Sequence, residues 1–211
     1  MERTTQKTTR RLEKESSRNQ KIIDTAFQIF VERKIEPVSM GEIAEAAGIG
    51  RATLFRCYSS KLELVIAVCA AKWKAYLDEL DAKRPISSIG DIPAIDRFVF
   101  TLDSYIDMYQ RHKDLLQYND NFNHYVTHEG AAQEQLVDFN RSLYSANTRF
   151  HLMYEKAKED GTFRTDIPED IFFRVTLHSM MAACAHYQYR CYSRSGSGKD
   201  HSGGYNQQHN R

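Results

Sequence analysis

Proline and glycine are both scarce in this chain, four and ten in 211 residues. That argues against an architecture of many short strands and turns and, with several long apolar periodicities, predicts an all-α protein. No run of eighteen apolar residues exists, so nothing spans a membrane. The first thirty residues have no apolar signal core, which places the protein in the cytoplasm. The four cysteines, Cys57, Cys69, Cys184 and Cys191, show no metal-type pairing, and a cytosolic chain keeps them reduced. There is no Gly-rich phosphate loop, no nucleophile elbow and no His-Glu-x-x-His, so an enzyme is not expected. His124 and His128 would share a helix face, yet no third ligand is evident; neither a metal nor a cofactor is expected.

Excess charge is also nearly absent overall, at +1, but it is unevenly spread. Residues 1–74 carry 14 Lys and Arg against 9 Asp and Glu, and residues 75–211 carry 15 against 19. The N-terminal part is therefore net basic, the asymmetry that an electrostatic footprint on phosphate needs.

Within that basic part, residues 39–58 parse as two short helices around a tight turn. Ser39 with Glu42 forms a capping box, so a helix starts at Met40. Ile43, Ala44 and Ala47 give it a small apolar face. Gly48 stands where the helix must end in the left-handed region, which glycine takes without a side-chain clash. A second helix runs from about Gly50 to Tyr58, burying Leu54 and exposing Arg51, Thr53 and Arg56. This is the pattern of a helix-turn-helix, whose second helix enters the DNA major groove. Ser60 and Glu63 make another capping box, with Lys61 in the first turn and placed to meet a phosphate.

Residues 18–64 resemble the DNA-binding domain of the TetR family of bacterial transcriptional regulators. The matching positions are Ile22, Ala26 and Phe30, then Ser39, Ile43, Ala44, Ala47, Gly48 and Ile49, then Thr53, Leu54, Phe55, Tyr58, Lys61 and Leu64. Four positions depart from the family's usual residues: Lys34 replaces a glycine, Met40 a hydroxyl residue, Phe55 a tyrosine and Cys57 a His or Tyr. The resemblance implies a homodimer whose larger C-terminal domain binds a small molecule. The candidate DNA contacts are Ser39, Met40, Gly50, Arg51, Ala52, Thr53, Phe55, Arg56 and Lys61. Arg51 is the candidate for base readout, and Thr53 and Lys61 for phosphates.

The expected organisation is a flexible basic leader over 1–17, a helix-turn-helix domain over 18–65, a helical ligand-binding and dimerisation domain over 66–192, and a disordered tail over 193–211. The leader's basic residues would order only on DNA. A long helix over about 61–82 joins the two domains, and Trp73 on it is an inter-domain anchor. Asp91 caps the following helix, and a break falls near 111–113. Residues 131–160 form one long helix ended by Gly161. Asp166 and Glu169 cap the last one, over 167–192, which is apolar nearly all round and needs a partner on one side.

A cavity lined by Phe98, Leu102, Tyr105, Tyr109, Phe122, Tyr125, Phe139, Leu143, Phe150, Tyr154, Thr176 and Met180 would suit an aromatic or amphipathic effector. Phe172, Val175, Ser179, Ala182, Ala183 and His186 would face a second copy. Only one clear dimer helix is present, so either each chain contributes one helix or the C-terminus is altered. The function read from these features is a TetR-type regulator, most simply a repressor, released from a near-palindromic duplex operator by a small molecule. The competing readings are a helical interaction module and a small-molecule-binding protein, neither reading DNA.

Overall fold

A computed structural model describes residues 2–89 and 92–195, with side chains described for these except 2–8, 89, 144–145 and 185–195. Among the described residues all regular structure is helical. The α-helices are α1 (Glu2–Arg33), α2 (Met40–Ala46), α3 (Arg51–Cys57), α4 (Lys61–Lys83), α5 (Ala94–Arg111), α6 (Lys113–His128), α7 (Val137–Ser142), α8 (Tyr144–Asp160) and α9 (Glu169–Ser195). Two 3₁₀ turns, Ile86–Ile89 and Gln133–Leu136, lie before α5 and α7. None of the described helices is long and apolar enough to cross a membrane.

Helix α1 begins well before residue 18, so the backbone of the leader is helical, contrary to the expectation of a flexible segment. No glycine or proline precedes Pro37 to interrupt it. An Arg11–Glu15 ion pair of 3.0 Å, four residues apart, supports the exposed part. Of the stripe Ile22, Ile23, Ala26, Phe27, Phe30 and Val31, all are buried as the spacing predicts except Val31, which is half-buried.

After α1 the chain turns through Lys34, whose φ of 65° puts a residue with a β-carbon in the left-handed region. The family resemblance led to the expectation of a glycine here, and φ is one that glycine takes without strain. Lys34→Gly is therefore expected to stabilise the fold by roughly 1 kcal/mol, raising Tm by about 2–4 °C in a thermal melt. A fall in Tm would show that the left-handed turn is not a source of strain.

The capping box of α2 forms as read. Glu42 N donates to Ser39 Oγ at 3.3 Å, and Ser39 N donates to Glu42 Oε2 at 2.8 Å. Arg33 adds a 2.7 Å bond to the other carboxylate oxygen. The Ser39 bonds first, and Arg33 after them, hold the Glu42 carboxyl well down, at about 2 against an ordinary 4.5. A depressed carboxylate contributes stability that is whole above its unfolded pKa and disappears as pH falls through the folded one. The Tm difference between the parent and Glu42→Ala should accordingly be constant above pH 4.5 and close as pH approaches 2. A gap that persists into that acid range would remove the ionic part of the cap.

Two caps of the larger domain depart from their sequence readings. Asp91 lies outside the described residues, and the first amides of α5 are taken from far along the chain. Ala94 N donates to Asp160 Oδ2 at 2.8 Å, and Ile95 N to Thr162 Oγ1 at 3.1 Å. Asp166 pairs with Arg164 and Glu169 with His151, so no box opens α9. It starts instead on the Pro168 carbonyl, which accepts from Phe172 N at 3.0 Å.

The single helix expected over 131–160 is broken at Leu143. The Ser142 hydroxyl donates to Phe139 O at 2.6 Å, a side-chain bond that competes with the helical ladder. Gly161 does end α8 in the left-handed region, at φ 62°.

Helix α4 is the axis of the molecule and packs against α1, α6 and α7. One continuous apolar cluster runs from Ile22 and Phe30 through Leu64, Val65 and Cys69 to Tyr118, Phe122 and Cys184. A second, smaller cluster joins Ala94, Phe150, Met153 and Ala157 to Phe98, Phe163, Phe172 and Phe173. The proposed tail over 193–211 lies outside the described residues beyond Ser195.

Candidate nucleic-acid interface and effector cavity

The short helix α3 is held by one fully buried anchor, Leu54, set against Ile43, Ala44 and Ala47 of α2. Gly48 closes α2 at φ 67° as anticipated. Gly50 caps α3 through its carbonyl, which accepts from Thr53 N and Leu54 N at 2.9 and 3.2 Å. Burying Leu54 turns the opposite face outward. Arg51, Ala52, Phe55 and Arg56 are all exposed, Phe55 by 49%, and their i, i+1, i+4, i+5 spacing makes one continuous surface. Thr53 is only half-exposed, at the edge of that surface. The Arg51 guanidinium rests on α2, where a β-carbon at Gly41 would lie 2.5 Å from Nη2. It must leave this perch to reach outward.

Three other candidate contacts sit differently. Met40 is 8% exposed and belongs to the core, so it is corrected from DNA contact to packing residue. A thioether at the first position of α2 is more stable beneath the turn than in water. Ser39 is exposed, but its hydroxyl donates to Glu42 Oε2 at 2.8 Å and is already engaged in the cap. Lys61 turns inward. Its ammonium donates to Glu36 O at 2.9 Å and lies 5.2 Å from the centre of the Tyr125 ring on α6. Burial pushes its pKa down, against the upward pull of Glu36, Glu129 and Glu42. It ties the small helices to the larger domain.

In that domain a cavity of about 620 Å³ lies between α4, α5, α6, α8 and α9. Of the residues expected to line it, Tyr105, Phe139, Leu143 and Phe150 do so. Burial pushes the Tyr105 hydroxyl up to about 12, so it stays a protonated donor.

The remaining eight are placed elsewhere. Phe122 and Tyr125 are buried in the main core, Phe122 against Phe139 and Tyr125 beneath the Lys61 ammonium. Phe98 stacks on Phe163 in the second cluster, with ring centres 5.8 Å apart. Tyr154 joins that cluster and donates to the carbonyls of Thr165, at 3.0 Å, and Ile167. Tyr109 lies 5.7 Å from the Lys113 ammonium, and Met180 packs on the main core. Leu102 and Thr176 are half-buried away from the cavity.

The lining that was missed comes from every helix around the cavity, and α4 contributes one wall of it. Trp73, Tyr76, Leu77, Leu80 and Arg84 share one face of it. Trp73 thus touches the cavity as well as anchoring: its Nε1 donates to Asn119 Oδ1 at 3.0 Å. Arg97 and Arg149 were also missed, although a cation inside an otherwise apolar helical stripe was a usable signal for both.

Of the expected dimer residues, Val175, Ser179, Ala182 and Ala183 are exposed and follow Ile171 along one side of α9. Phe172 points inward, 5.6 Å from the rings of Phe98 and Phe150, and is withdrawn from that face. The side chain of His186 lies outside the described residues. Two groups of acids with a histidine, Glu79–Asp107–His112 and His151–Glu155–Glu169, are geometrically compact. Lys83 and Lys158 already neutralise carboxylates in them.

A solvent-facing second helix of a helix-turn-helix, joined by a long helix to a hollow helical bundle, defines a DNA-binding regulator. Residues 22–68 match the family described as bacterial regulatory proteins, tetR family. The HTH-type transcriptional repressor KstR2 of Rhodococcus jostii is 27% identical over 180 residues, covering 82% of this chain and 81% of the relative. The HTH-type transcriptional activator FasR of Mycolicibacterium smegmatis is 41% identical over 58 residues, 28% of this chain and 26% of that one. The solved FadR of Bacillus subtilis, in complex with stearoyl-CoA, shares the fold with a TM-score of 0.62 at 12% identity, over 82% of this chain and 88% of that chain. Residues 22–68 carry the DNA-binding domain of the tetR family, and the chain is a transcriptional regulator of that type.

Proposed function

We propose that the protein is a homodimeric, cytoplasmic repressor that a small molecule releases from DNA. Two α3 helices, one per protomer, enter successive major grooves of a near-palindromic operator with half-sites about one helical turn apart. The observation that carries this reading is the uncovered α3 surface of Arg51, Ala52, Phe55 and Arg56. Arg51 pairs with a guanine, Thr53 meets a phosphate, and Arg56 does either. The exposed side of α9, from Ile171 through Val175 and Ser179 to Ala183, supports pairing with a second copy.

The effector occupies the cavity beside α4 and acts by population shift. Its binding energy favours an arrangement of α4 in which the two reading heads no longer match the half-site spacing. Support comes from the stripe of α4 residues, Trp73 to Arg84, that line the cavity on the helix leading directly back to the head.

Selection of bound fragments from a random duplex library at moderate salt tests the whole reading. The expected product is an inverted repeat. Fragments with no shared sequence, or no retained fragments, would remove DNA readout.

A further inference from the structure

The polar groups around the cavity are sorted along its length. Trp73 of α4 and Arg84, the residue just past its end, both line it, eleven residues apart and about 16 Å along the helix axis. At the Trp73 end are Asn119, Asp120 and Asn123 of α6. At the Arg84 end are three guanidinium groups. Arg84 lies over the Phe100 ring at 4.2 Å, and Arg97 donates to Ile92 O and Leu152 O at 2.9 Å each. Arg149 donates to Asp81 Oδ1 through Nε at 2.8 Å and to the Arg84 carbonyl through Nη2. Between the ends the wall is Tyr76, Leu77, Leu80, Tyr105, Met108 and Leu177.

Arg149 is incompletely satisfied. Its Nη1 is buried and has no hydrogen-bond partner among the described residues. A buried guanidinium nitrogen without an acceptor is costly, and a carboxylate is its natural complement. Nη1 is buried, so the guanidinium must turn for an acceptor in the cavity to reach it. That turn acts on the bonds Arg149 makes to Asp81 and to the last carbonyls of α4.

Resting on the effector reading above, we infer that the cavity takes an amphipathic organic monoanion, an acid with an apolar or aromatic body, its anionic head at Arg84, Arg97 and Arg149. At about 30 Å³ per water-sized group, the space suits a molecule of roughly twenty non-hydrogen atoms.

Trp73 is the only tryptophan and lines the cavity, so its fluorescence reports occupancy of the full-length protein without DNA. The probes are two pairs that share a body and differ in charge. One is 8-anilinonaphthalene-1-sulfonate against N-phenyl-1-naphthylamine; the other is dodecanoate against dodecanol. A cavity without a usable cation prefers the neutral member, because burying an unpaired anion is costly. The expected result is that each anion binds at least about tenfold tighter than its neutral partner. Arg84→Gln and Arg149→Met should each shrink that ratio severalfold, with the neutral affinities little changed.

Equal binding of the two members, preference for the neutral ones, or no Trp73 response to any of the four overturns the inference. So does a ratio that survives both substitutions, which leaves Arg149 as a structural cap of α4. Should Arg149→Met not fold, Arg84→Gln and the parent comparison still decide. Duplex selection is independent of these titrations, so loss of the operator reading and loss of the anion reading are distinguishable.

Discussion

Arg51→Ala is expected to cost the dimer on the order of a hundredfold in affinity for its selected operator and to erase the preference at one base pair in each half-site. A bidentate Arg–guanine pair contributes about 1–3 kcal/mol, and a symmetric dimer makes two. The structure explains why this one side chain should matter so much. On the exposed face of α3 only Arg51 and Arg56 carry charge, and Arg51 sits in the first turn, where a recognition helix comes nearest the base edges. Among the described residues its guanidinium makes no ion pair, and it lies over the open side of Gly41.

Lys61→Met is the informative comparison. An ammonium gripping phosphate would lower the salt slope of binding by about one unit per contact when removed. The inward bonds of Lys61 to Glu36 O and the Tyr125 ring lead instead to an unchanged salt slope. The readout is anisotropy of a labelled duplex against single-base variants at several salt concentrations. If Arg51→Ala weakens every variant equally, its assignment to base reading is wrong. If Lys61→Met flattens the slope, its tie to α6 gives way on DNA.

What could be read in advance followed a physical divide. Ser39 with Glu42, Gly48 and the Ile22–Phe30 stripe are local signals, decided within a turn or two of helix, and each stands in the structure as read. Lys34 was noted only as a departure from a usual glycine, and its left-handed backbone emerged with the structure. The α5 cap was not, because Asp160 and Thr162 reach Ala94 and Ile95 across more than sixty residues of sequence. The cavity failed for a related reason. Periodicity reveals that α6 buries Phe122 and Tyr125, but not whether they meet packed neighbours or an open space. That depends on how far each helix is rotated about its axis. Met40 shows the same limit in the head, where only the packing beneath the turn distinguishes a buried thioether from an exposed one.

The second large effect concerns the join between head and body. Tyr118→Ala should lower stability by roughly 3–5 kcal/mol, a Tm loss on the order of 10 °C. Tyr118 is fully buried where α1, α4 and α6 meet. Its ring lies 5.3 and 6.2 Å from those of Phe27 and Phe30 and 6.4 Å from Phe122. Its hydroxyl donates to Val65 O at 2.8 Å, and burial pushes its pKa far up. Truncation removes the ring contacts and leaves a cavity that three rigid helices cannot close.

Tyr118→Phe loses only the hydroxyl bond, about 1 kcal/mol, because the Val65 carbonyl keeps its place in the α4 ladder. The pair of variants tests how the molecule is divided. Since one apolar cluster runs from Ile22 to Cys184 through this residue, calorimetry of both variants should still show one transition, displaced as a whole. If Tyr118→Ala instead splits the transition and melts only the helix-turn-helix early, head and body fold separately. The effector's influence on α3 would then have to pass through α4 alone, without the second connection that α6 makes through Tyr118 and Tyr125.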